Sequence, residues 1–451
     1  MTNERIIVLG AGESGTGAAL LAKAKGFDVF VSDQGAIKEK YVQQLEKSGI
    51  DYEQGKHTEE KIFEAGTIIK SPGIPESARI LQGAFERGIG VIDEIEFASR
   101  YTDARFIAIT GTNGKTTTTL LTYHLLKSAG YNVGLAGNVG HSLAKQVLEE
   151  HFDFYVVEMS SFQIDGIQDF SPEIAILLNI TPDHLDRYQY SLQNYINSKF
   201  KLVEALGKES HFIYLNDDNN IATQLAAKEY AANHLPITLS ADPNSVASII
   251  GSEMHFTLEG NNFDILQSDT TLKGKHNLVN TMAAVIAAIK VGLSESEIRE
   301  GLKTFKNAPH RMEFVATINE VDFYNDSKAT NVEATKYALE SFTNKLVWIA
   351  GGVDKGNDYN QLMELVNSKV KALVCLGKDN GKLRDSFHEH VVDLIETKSM
   401  QEAVGSALNY ATANDVVLLS PACASFDLFN NYEDRGDQFR QAVMNLKQMN
   451  N

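Results

Sequence analysis

The segment TGTNGKTT at residues 110–117 holds the residue types that grip phosphate groups. It follows the β-branched run RFIAIT at 105–110 and precedes a helical stretch that we expect to begin at Lys115. Gly111 and Gly114 allow backbone amides to turn inward around phosphate oxygens. The helix N-terminus, the Lys115 ammonium and a Thr116 hydroxyl for Mg²⁺ would complete the site. The segment predicts binding of a nucleoside triphosphate, whereas a plain strand-to-helix turn would explain only the glycines.

The spacing of this loop is shorter than the usual one. The first glycine stands only three positions before Gly114, whereas the common phosphate loop has four residues between its glycine and the Gly-Lys pair. The shorter spacing makes the match to the common motif weaker, but the spacing is itself informative about the kind of nucleotide-binding protein.

Two further polar positions follow neighbouring apolar runs. Glu158 lies near the end of FYVVEM at 154–159, and His184 lies in NITPDHLDRY at 179–188, after IAILLNI at 174–180. Parallel sheets place ligands beyond the carboxyl ends of their strands, and a carboxylate there suits Mg²⁺. Glu158 is therefore predicted to hold Mg²⁺ rather than simply to end a strand. For His184, a second metal, an orienting role and an ordinary loop position all remain open.

A second glycine-rich turn, GAGESG, lies at residues 10–15 between a predicted strand at 5–10 and a helix from about residue 15 to 26. Asp33 ends the next predicted strand at 28–33. This arrangement matches a dinucleotide fingerprint and by itself would indicate a nicotinamide-dependent dehydrogenase. Such loops bind other diphosphates equally well.

Three loops near the C-terminus fall at or just past predicted strand ends: NDSKATN at 325–331, GGVDKG at 351–356 and SPACASFDLFNNYEDRG at 420–436. Small polar residues with lysine at such positions suit recognition of carboxylates and phosphates. If the loops share one edge of a sheet, they are a candidate ligand pocket; the alternative is that they only connect elements.

These motifs lie on alternating strands and helices, the pattern of α/β domains with mainly parallel sheets. We expect three domains, at 1–95, 96–307 and 308–451, each a largely parallel sheet with flanking helices. The first and last would be Rossmann-like and the central one a phosphate-loop NTPase fold. Extra antiparallel strands are expected within 236–275 and a long helix at 276–293. Strands are predicted in the last domain at 345–351, 371–377, 391–395 and 415–421.

Composition narrows the class of protein further. The 451 residues carry a net charge of −18, which argues against a general nucleic-acid binder. No apolar run approaches the roughly 18–20 residues needed to span a bilayer. Two cysteines, Cys375 and Cys423, are too few for a disulfide framework and fit a reducing compartment. We expect a cytoplasmic, monomeric enzyme without nucleic-acid partners or membrane insertion.

Taken together, the motifs resemble those of the Mur ligases along the whole chain, in order and spacing. To the segments above, the resemblance adds SPGI at 71–74, GN at 137–138, EMSSFQ at 158–163, KHNLVN at 275–280 and HRME at 310–313. SSFQ and the C-terminal SPACASFDLF…YEDRG look like the members that add D-glutamate. The arginine-bearing motif expected of members that add diaminopimelate or lysine is not found.

The resemblance implies an activity and its cofactors. ATP would phosphorylate the free carboxylate of UDP-N-acetylmuramoyl-L-alanine, and the amine of D-glutamate would displace the phosphate to form an amide in peptidoglycan precursor synthesis. One or two Mg²⁺ ions would assist. Lys199, in NYINSKFKL, would be carbamylated by CO₂ and so become an anionic metal ligand. The residues alone would make Lys199 a solvated helix lysine.

Site residues are carried over by the same resemblance, position by position. For ATP they are Gly111, Thr112, Asn113, Gly114, Lys115, Thr116, Thr117, Asn280, Arg311 and Asp326. For metal they are Thr116, Glu158, His184 and carbamylated Lys199, with Lys328 joining Lys115 in catalysis. For the UDP-substrate they are Ser14, Asp33, Ser71, Gly73, Asn138, Ser160 and Gln163. For D-glutamate they are Thr330, Lys355, Ser425, Phe426 and Tyr432.

The chain departs from the family pattern at a few positions. An arginine common shortly after the acidic residue of the second strand is absent, since Asp33 is followed by Gln34, Gly35 and Ala36. Tyr432 stands where phenylalanine is common and Phe426 where leucine is common. Alternatives to a D-glutamate ligase are a related Mur or folylpolyglutamate synthetase-like ligase, the dehydrogenase suggested by GAGESG, and a non-enzymatic nucleotide switch.

Overall fold

The computed structural model describes residues 4–251, 253–258, 260–272 and 274–450, with the backbone alone for residues 261, 276 and 450. The outer ends of the predicted domains, at residues 1 and 451, and the side chain of His276 in KHNLVN lie outside this description. The chain forms two compact units. The first runs to Thr271 and includes Val279–Phe305; the second comprises Leu272–Leu278 and the chain from Lys306. No helix in the described ranges is long and apolar enough to cross a membrane.

The first sheet of the first unit is wholly parallel, in the order β3-β2-β1-β4-β5. Its strands are β1 (Arg5–Leu9), β2 (Asp28–Asp33), β3 (Asp51–Gln54), β4 (Thr67–Lys70) and β5 (Gly90–Asp93). Its helices are α1 (Glu13–Ala24), α2 (Glu39–Lys47), α3 (Glu59–Ile62), α4 (Arg79–Glu86) and α5 (Glu94–Ser99). The central strand β1 is apolar and buried from Ile6 to Leu9, as expected of a strand covered by helices on both faces.

The second sheet has nine strands in the order β14-β13-β12-β11-β10-β9-β6-β8-β7. They are β6 (Arg105–Thr110), β7 (Val133–Gly137), β8 (Phe154–Glu158), β9 (Ile174–Leu177), β10 (His211–Leu215), β11 (Asn233–Ile237), β12 (Ala247–Ile250), β13 (Glu253–Leu258) and β14 (Asn261–Leu266). The helices are α6 (Lys115–Ser128), α7 (Leu143–Glu149), α8 (Ser161–Ile164), α9 (Leu192–Glu204), α10 (Asn219–Ala227), α11 (Lys275–Val291) and α12 (Glu295–Thr304). The last three strands pair antiparallel, which confirms the expectation for 236–275.

Buried carboxylates of α5 join the two sheets of the first unit. Glu96 is fully buried, and its Oε2 accepts hydrogen bonds from the backbone amides of Gln168, Asp169 and Phe170 at 2.8–3.0 Å. Glu94 Oε1 accepts from the Ser142 hydroxyl and the Ala144 amide, both at 2.7 Å. Since charge-assisted hydrogen bonds to backbone amides are strong, these contacts set the position of one sheet against the other.

The sheet of the second unit has the order β15-β16-β20-β17-β18-β19 and is parallel apart from its first pair. The strands are β15 (Glu313–Ile318), β16 (Val321–Asn325), β17 (Leu346–Ala350), β18 (Val370–Leu376), β19 (Asp393–Thr397) and β20 (Val416–Leu419). The helices are α13 (Val332–Glu340), α14 (Met363–Lys369), α15 (Gly381–Phe387), α16 (Met400–Tyr410) and α17 (Tyr432–Asn450). The four strands predicted between 345 and 421 are confirmed; the β15–β16 hairpin was not predicted.

Candidate functional site

The predicted phosphate loop lies between β6 and α6. Gly114 caps the helix with φ +86°, and Gly111 has φ +154°, so both positions favour glycine. A Cβ at Gly114 would lie 2.4 Å from Asn280 Oδ1, and the buried Thr118 hydroxyl donates to that oxygen at 3.2 Å. Asn280, on α11, is thus brought directly against the loop, as the ATP-site prediction requires.

The loop is held in shape by the segment after β9. The Thr112 amide donates to the Asn179 carbonyl at 2.9 Å, and Asn113 and Asn179 exchange two hydrogen bonds. Lys115 Nζ donates to the carbonyls of Gly111 and Thr112, both at 2.8 Å, and so folds back over the loop that precedes it. Thr116 and Thr117 follow on the first turn of α6, with Thr117 buried.

Glu158 lies at the same edge of the sheet, since β8 pairs with β6 and places it opposite Ile109. The side chain is buried, and its Oε1 accepts from Asn138 Nδ2 at 2.8 Å. Its Oε2 is buried without a hydrogen-bond partner among the described residues. A buried carboxylate oxygen without a donor is costly unless a cation compensates it, so this atom fits a Mg²⁺ ligand.

Lys199 is the most unusual group near the loop. It lies on α9 with 1% of its surface exposed, and its Nζ donates to the Gly111 carbonyl at 2.8 Å and toward Thr110 Oγ1 at 3.4 Å. Nζ also lies 4.7 Å from the centre of the Tyr195 ring. Burial, together with the charge of Lys115, holds the pKa of Lys199 well below its ordinary value. A neutral amine can attack CO₂, so the site has the chemistry that carbamylation needs.

His184 has a left-handed backbone with φ +51° and precedes a 3₁₀ turn at Leu185–Tyr188. Its side chain is half exposed, its backbone amide donates to Asp183 Oδ1 at 3.0 Å, and its ring contacts Phe162 edge-on at 5.3 Å. An exposed imidazole beside a carboxylate at this sheet edge is compatible with a metal ligand, and it stays a prediction.

The residues predicted for the UDP-substrate cluster at the carboxyl end of the first sheet. Asp33 accepts from the Ala11 amide at 2.7 Å and the Gly35 amide at 2.8 Å, so it organises the GAGESG turn. Ser71 Oγ donates to the Gly10 carbonyl at 3.3 Å, which joins the SPG turn to that loop. Ser14 is half-buried on α1 and Gly73 is exposed.

Three more predicted substrate residues lie just after strands of the second sheet. Ser160 and Gln163 form a capping box at the start of α8, in which the Ser160 amide donates to Gln163 Oε1 at 3.0 Å. Asn138 is exposed after β7 and bonds Glu158 through both its amide groups. These residues therefore shape the loop around Glu158, and their contact with a substrate stays a prediction.

In the second unit, one arginine joins the three predicted loops. Arg435, 1% exposed, donates four hydrogen bonds of 2.8–3.2 Å to Ser327 Oγ, Ser327 O, Gly351 O and Cys423 O. Its acceptors are carbonyls and a hydroxyl rather than carboxylates, and burial lowers its pKa to about 10. Sequence reasoning missed Arg435; the only signal was an arginine among the polar residues of YEDRG.

Gly352 lets two of these loops approach closely. Its φ is +128°, a Cβ there would lie 2.1 Å from the Ala424 carbonyl, and the neighbouring Val353 exchanges two backbone hydrogen bonds with Ala424. GGVDKG and SPACASFD are thus paired, which confirms that the predicted loops meet at one edge of this sheet.

The predicted residues of this unit occupy that edge. Burial raises the pKa of Asp326 to about 7, although Ser420, Met312 and nearby arginines stabilise its charge. Lys328 Nζ lies 3.6 Å from the centre of the Tyr432 ring. Ser425 is buried, Arg311 and Thr330 are half-buried, Lys355 is exposed, and Phe426 exposes 72% of its surface.

Comparison with known proteins agrees with this architecture. Three family models match: the Mur ligase MurD-like N-terminal domain over residues 4–93, the Mur ligase middle domain over 109–288, and the Mur ligase glutamate ligase domain over 310–423. UDP-N-acetylmuramoylalanine--D-glutamate ligase of Christiangramia forsetii is 51% identical over 443 residues, 98% of this chain and 100% of that protein. The same-named protein of Bacteroides fragilis is 51% identical over 444 residues, again covering 98% and 100%.

A solved structure shares the fold. The MurF ligase of Thermotoga maritima, in complex with ADP, superposes with a TM-score of 0.64 at 14% identity, covering 93% of this chain and 96% of that one. Each of the three matched domains contains one of the three sheets, and the first two lie in one compact unit, so the chain is a three-domain α/β enzyme. The chain belongs to the Mur ligase family.

Proposed function

We propose that this enzyme joins D-glutamate to UDP-N-acetylmuramoyl-L-alanine with hydrolysis of ATP to ADP and phosphate. The likeness to D-glutamate ligases over 98% of the chain supports the substrates. One observation carries the chemistry: Lys199 is buried against the phosphate loop, hydrogen-bonded to the Gly111 carbonyl. A ligase that activates a carboxylate can use such a lysine, once carbamylated, as an anionic metal ligand beside the phosphates.

The reaction we assign has two steps. The free carboxylate of the L-alanine attacks the γ-phosphorus of ATP, which gives an acyl phosphate and releases ADP. The neutral amine of D-glutamate then attacks the acyl carbon, and the tetrahedral intermediate collapses to the amide and inorganic phosphate. The protein acts mainly by positioning the groups and neutralising charge.

The phosphate loop is the proposed ATP site. Backbone amides of 111–117 would cradle the phosphates, with Lys115 released from its two loop carbonyls to meet them. Asn280 would support the loop from α11, and Arg311, Asp326 and Lys328 are assigned to the nucleotide as well. Thr116 and Glu158 would hold Mg²⁺, which supplies charge neutralisation between phosphates when bound.

We further propose a carbamate on Lys199. Its Nζ would add to CO₂ with loss of one proton, and the resulting anion would become an oxygen ligand for metal together with His184. The low pKa of Lys199 and its burial support this chemistry.

The UDP-substrate is assigned to residues 1–95, with Ser14, Asp33, Ser71 and Gly73, and to Asn138, Ser160 and Gln163 of the central region 96–307. D-Glutamate is assigned to 308–451, with Thr330, Lys355, Ser425, Phe426 and Tyr432. We propose a cytoplasmic enzyme, since ATP is its substrate, and a monomer, since one chain supplies every predicted site residue.

The decisive experiment measures ADP release with UDP-N-acetylmuramoyl-L-alanine and one amino acid at a time. We expect turnover with D-glutamate and background rates with L-glutamate, lysine and diaminopimelate. Comparable rates with another of these would favour the alternative, a related Mur or folylpolyglutamate synthetase-like ligase with a different amino acid. Turnover dependent on NAD(P)H would overturn the proposal altogether.

A further inference from the structure

Phe162 is the centre of a junction between three segments of the first unit. Its ring contacts the His184 ring edge-on at 5.3 Å and stacks with Tyr188 at 6.1 Å. Its carbonyl accepts from Lys70 Nζ at 3.5 Å, and Lys70, the last residue of β4, is only 3% exposed. The turn at α8, the segment 184–188 and the end of β4 therefore meet around one side chain.

Arg187 links this junction to the predicted substrate turn Ser71–Gly73. Its Nη2 donates to the Pro72 carbonyl at 3.4 Å and its Nη1 to the Gly73 carbonyl at 3.3 Å. The guanidinium also lies over the Phe162 ring, 4.4 Å from its centre. An arginine can do both at once, because its planar fork donates at the edge and stacks through the face.

The other end of the segment is tied to the helix that carries Lys199. The Tyr188 hydroxyl donates to Asp165 Oδ2 at 2.9 Å and lies 3.2 Å from Ser198 Oγ, one residue before Lys199. The Arg187 amide donates to the His184 carbonyl at 3.0 Å. The short 3₁₀ turn at Leu185–Tyr188 thus contacts the substrate turn on one side and the Lys199 helix on the other, and His184 lies at its start.

We infer that Arg187 is a positioning residue that couples the substrate turn Ser71–Gly73 to His184. With the carbonyls of Pro72 and Gly73 held by Arg187, a substrate that orders this turn also orders the segment that begins at His184. Loss of the guanidinium frees the segment from the turn while leaving Tyr188 and its contacts in place. This inference rests on the proposed function, and it assigns a role to Arg187, for which the sequence predicted none.

The two hydrogen bonds are long and partly exposed, so they contribute little to global stability. Their effect is on geometry: His184 has a left-handed backbone, a conformation uncommon for residues other than glycine, and the contacts of the turn that follows it help to hold it in place. Removing the Arg187 side chain should therefore change the affinities for ligands without a comparable change in the stability of the fold.

The test compares Arg187→Met, Arg187→Lys and Arg79→Met in the ADP-release assay. Arg79 is a matched control, an arginine of the same unit with an 89% exposed side chain and an ion pair to Glu59. For Arg187→Met we expect the KM for UDP-N-acetylmuramoyl-L-alanine and the Mg²⁺ concentration for half-maximal rate each to rise at least about fivefold, the lower end of measured site-to-site coupling. The KM for D-glutamate should stay close to that of wild type, because the residues predicted to bind it lie in the second unit.

Arg187→Lys should show an intermediate rise, because an ammonium reaches one carbonyl and stacks poorly. Phe162→Leu, which keeps Arg187 but removes its ring partner, should raise the Mg²⁺ requirement as well. An Arg187→Met enzyme with both constants equal to those of Arg79→Met refutes the inference. So does a variant whose melting temperature falls with no shift in either constant, the mark of a merely structural role. Absence of ADP release by the wild-type enzyme would refute the proposed function instead.

Discussion

Replacing Arg435 by methionine tests how the amino-acid site is built. The change keeps an unbranched apolar stem but removes four hydrogen bonds, leaving the carbonyls of Ser327, Gly351 and Cys423 without that donor. Each buried acceptor left unsatisfied costs about 1–3 kcal/mol, so the three carbonyls together account for a loss of at least about 3 kcal/mol. We expect a loss of that size in the free energy of unfolding of the second unit.

The loss is measured by thermal and urea unfolding and by kinetics. For a unit of this size, about 2–4 °C per kcal/mol corresponds to a melting temperature lowered by roughly 10 °C. The KM for D-glutamate should rise, since all three loops carrying its predicted residues are released. The KM for the UDP-substrate should not change, because its predicted residues lie in the first unit. Arg435→Lys should recover less than half, since lysine lacks the fork that reaches three loops.

Arg384→Met serves as control, because Arg384 lies in the same unit with 48% of its side chain exposed. If Arg435→Met melts within about 2 °C of this control, the hydrogen bonds of Arg435 do not stabilise the three loops as proposed. An unchanged KM for D-glutamate would show that the three loops do not form its binding site.

Three further predictions concern the first unit. Lys115→Ala should abolish product formation in a protein that keeps its far-ultraviolet circular dichroism, because the phosphates lose their mobile cation; retained turnover would refute the assigned role. Lys199→Ala should lose most activity, and small carboxylic acids such as formate should restore part of it whereas high bicarbonate should not. Full activity of this variant would refute the proposed carbamate. Asp93→Asn should change the pH dependence of stability. Burial raises the pKa of Asp93 from 3.8 to about 7, so its stabilising contribution is complete below pH 3.8 and is lost as pH rises toward 7. At about 1.4 kcal/mol per pH unit, the variant should gain up to about 4 kcal/mol over wild type between pH 4 and pH 8 in urea unfolding. A stability difference independent of pH would contradict this assignment.

The sequence was informative where chemistry depends on local spacing. The turn after β6 needs glycines where φ is positive, and Gly111 and Gly114 stand there with Lys115 at the helix start. Glu158 follows a short run of aromatic and β-branched residues, so its place at the end of β8 could be predicted from the length and composition of that run.

Burial imposed by distant segments could not be read in this way. Lys199 looks like a solvated helix lysine because its neighbours along the chain are mixed; only the fold packs its side chain against Gly111. The burial of Arg435 likewise depends on hydrogen-bond acceptors in loops more than eighty residues away in sequence. The β15–β16 hairpin escaped notice because its turn, Asn319-Glu320, has positive φ at both residues without the usual glycine.

The Glu96 contacts have a consequence for the thermodynamics of inhibition. Three backbone amides of the segment before β9 converge on the buried carboxylate of Glu96 on α5, so the domains of the first and second sheets form a preassembled surface. A ligand that reaches from the Gly10–Ser71 region to the phosphate loop would not have to order one sheet against the other. Its binding would therefore cost less entropy and its affinity would be higher. Bisubstrate compounds that span this surface should therefore bind with a smaller entropic penalty than their length suggests, which calorimetry can measure.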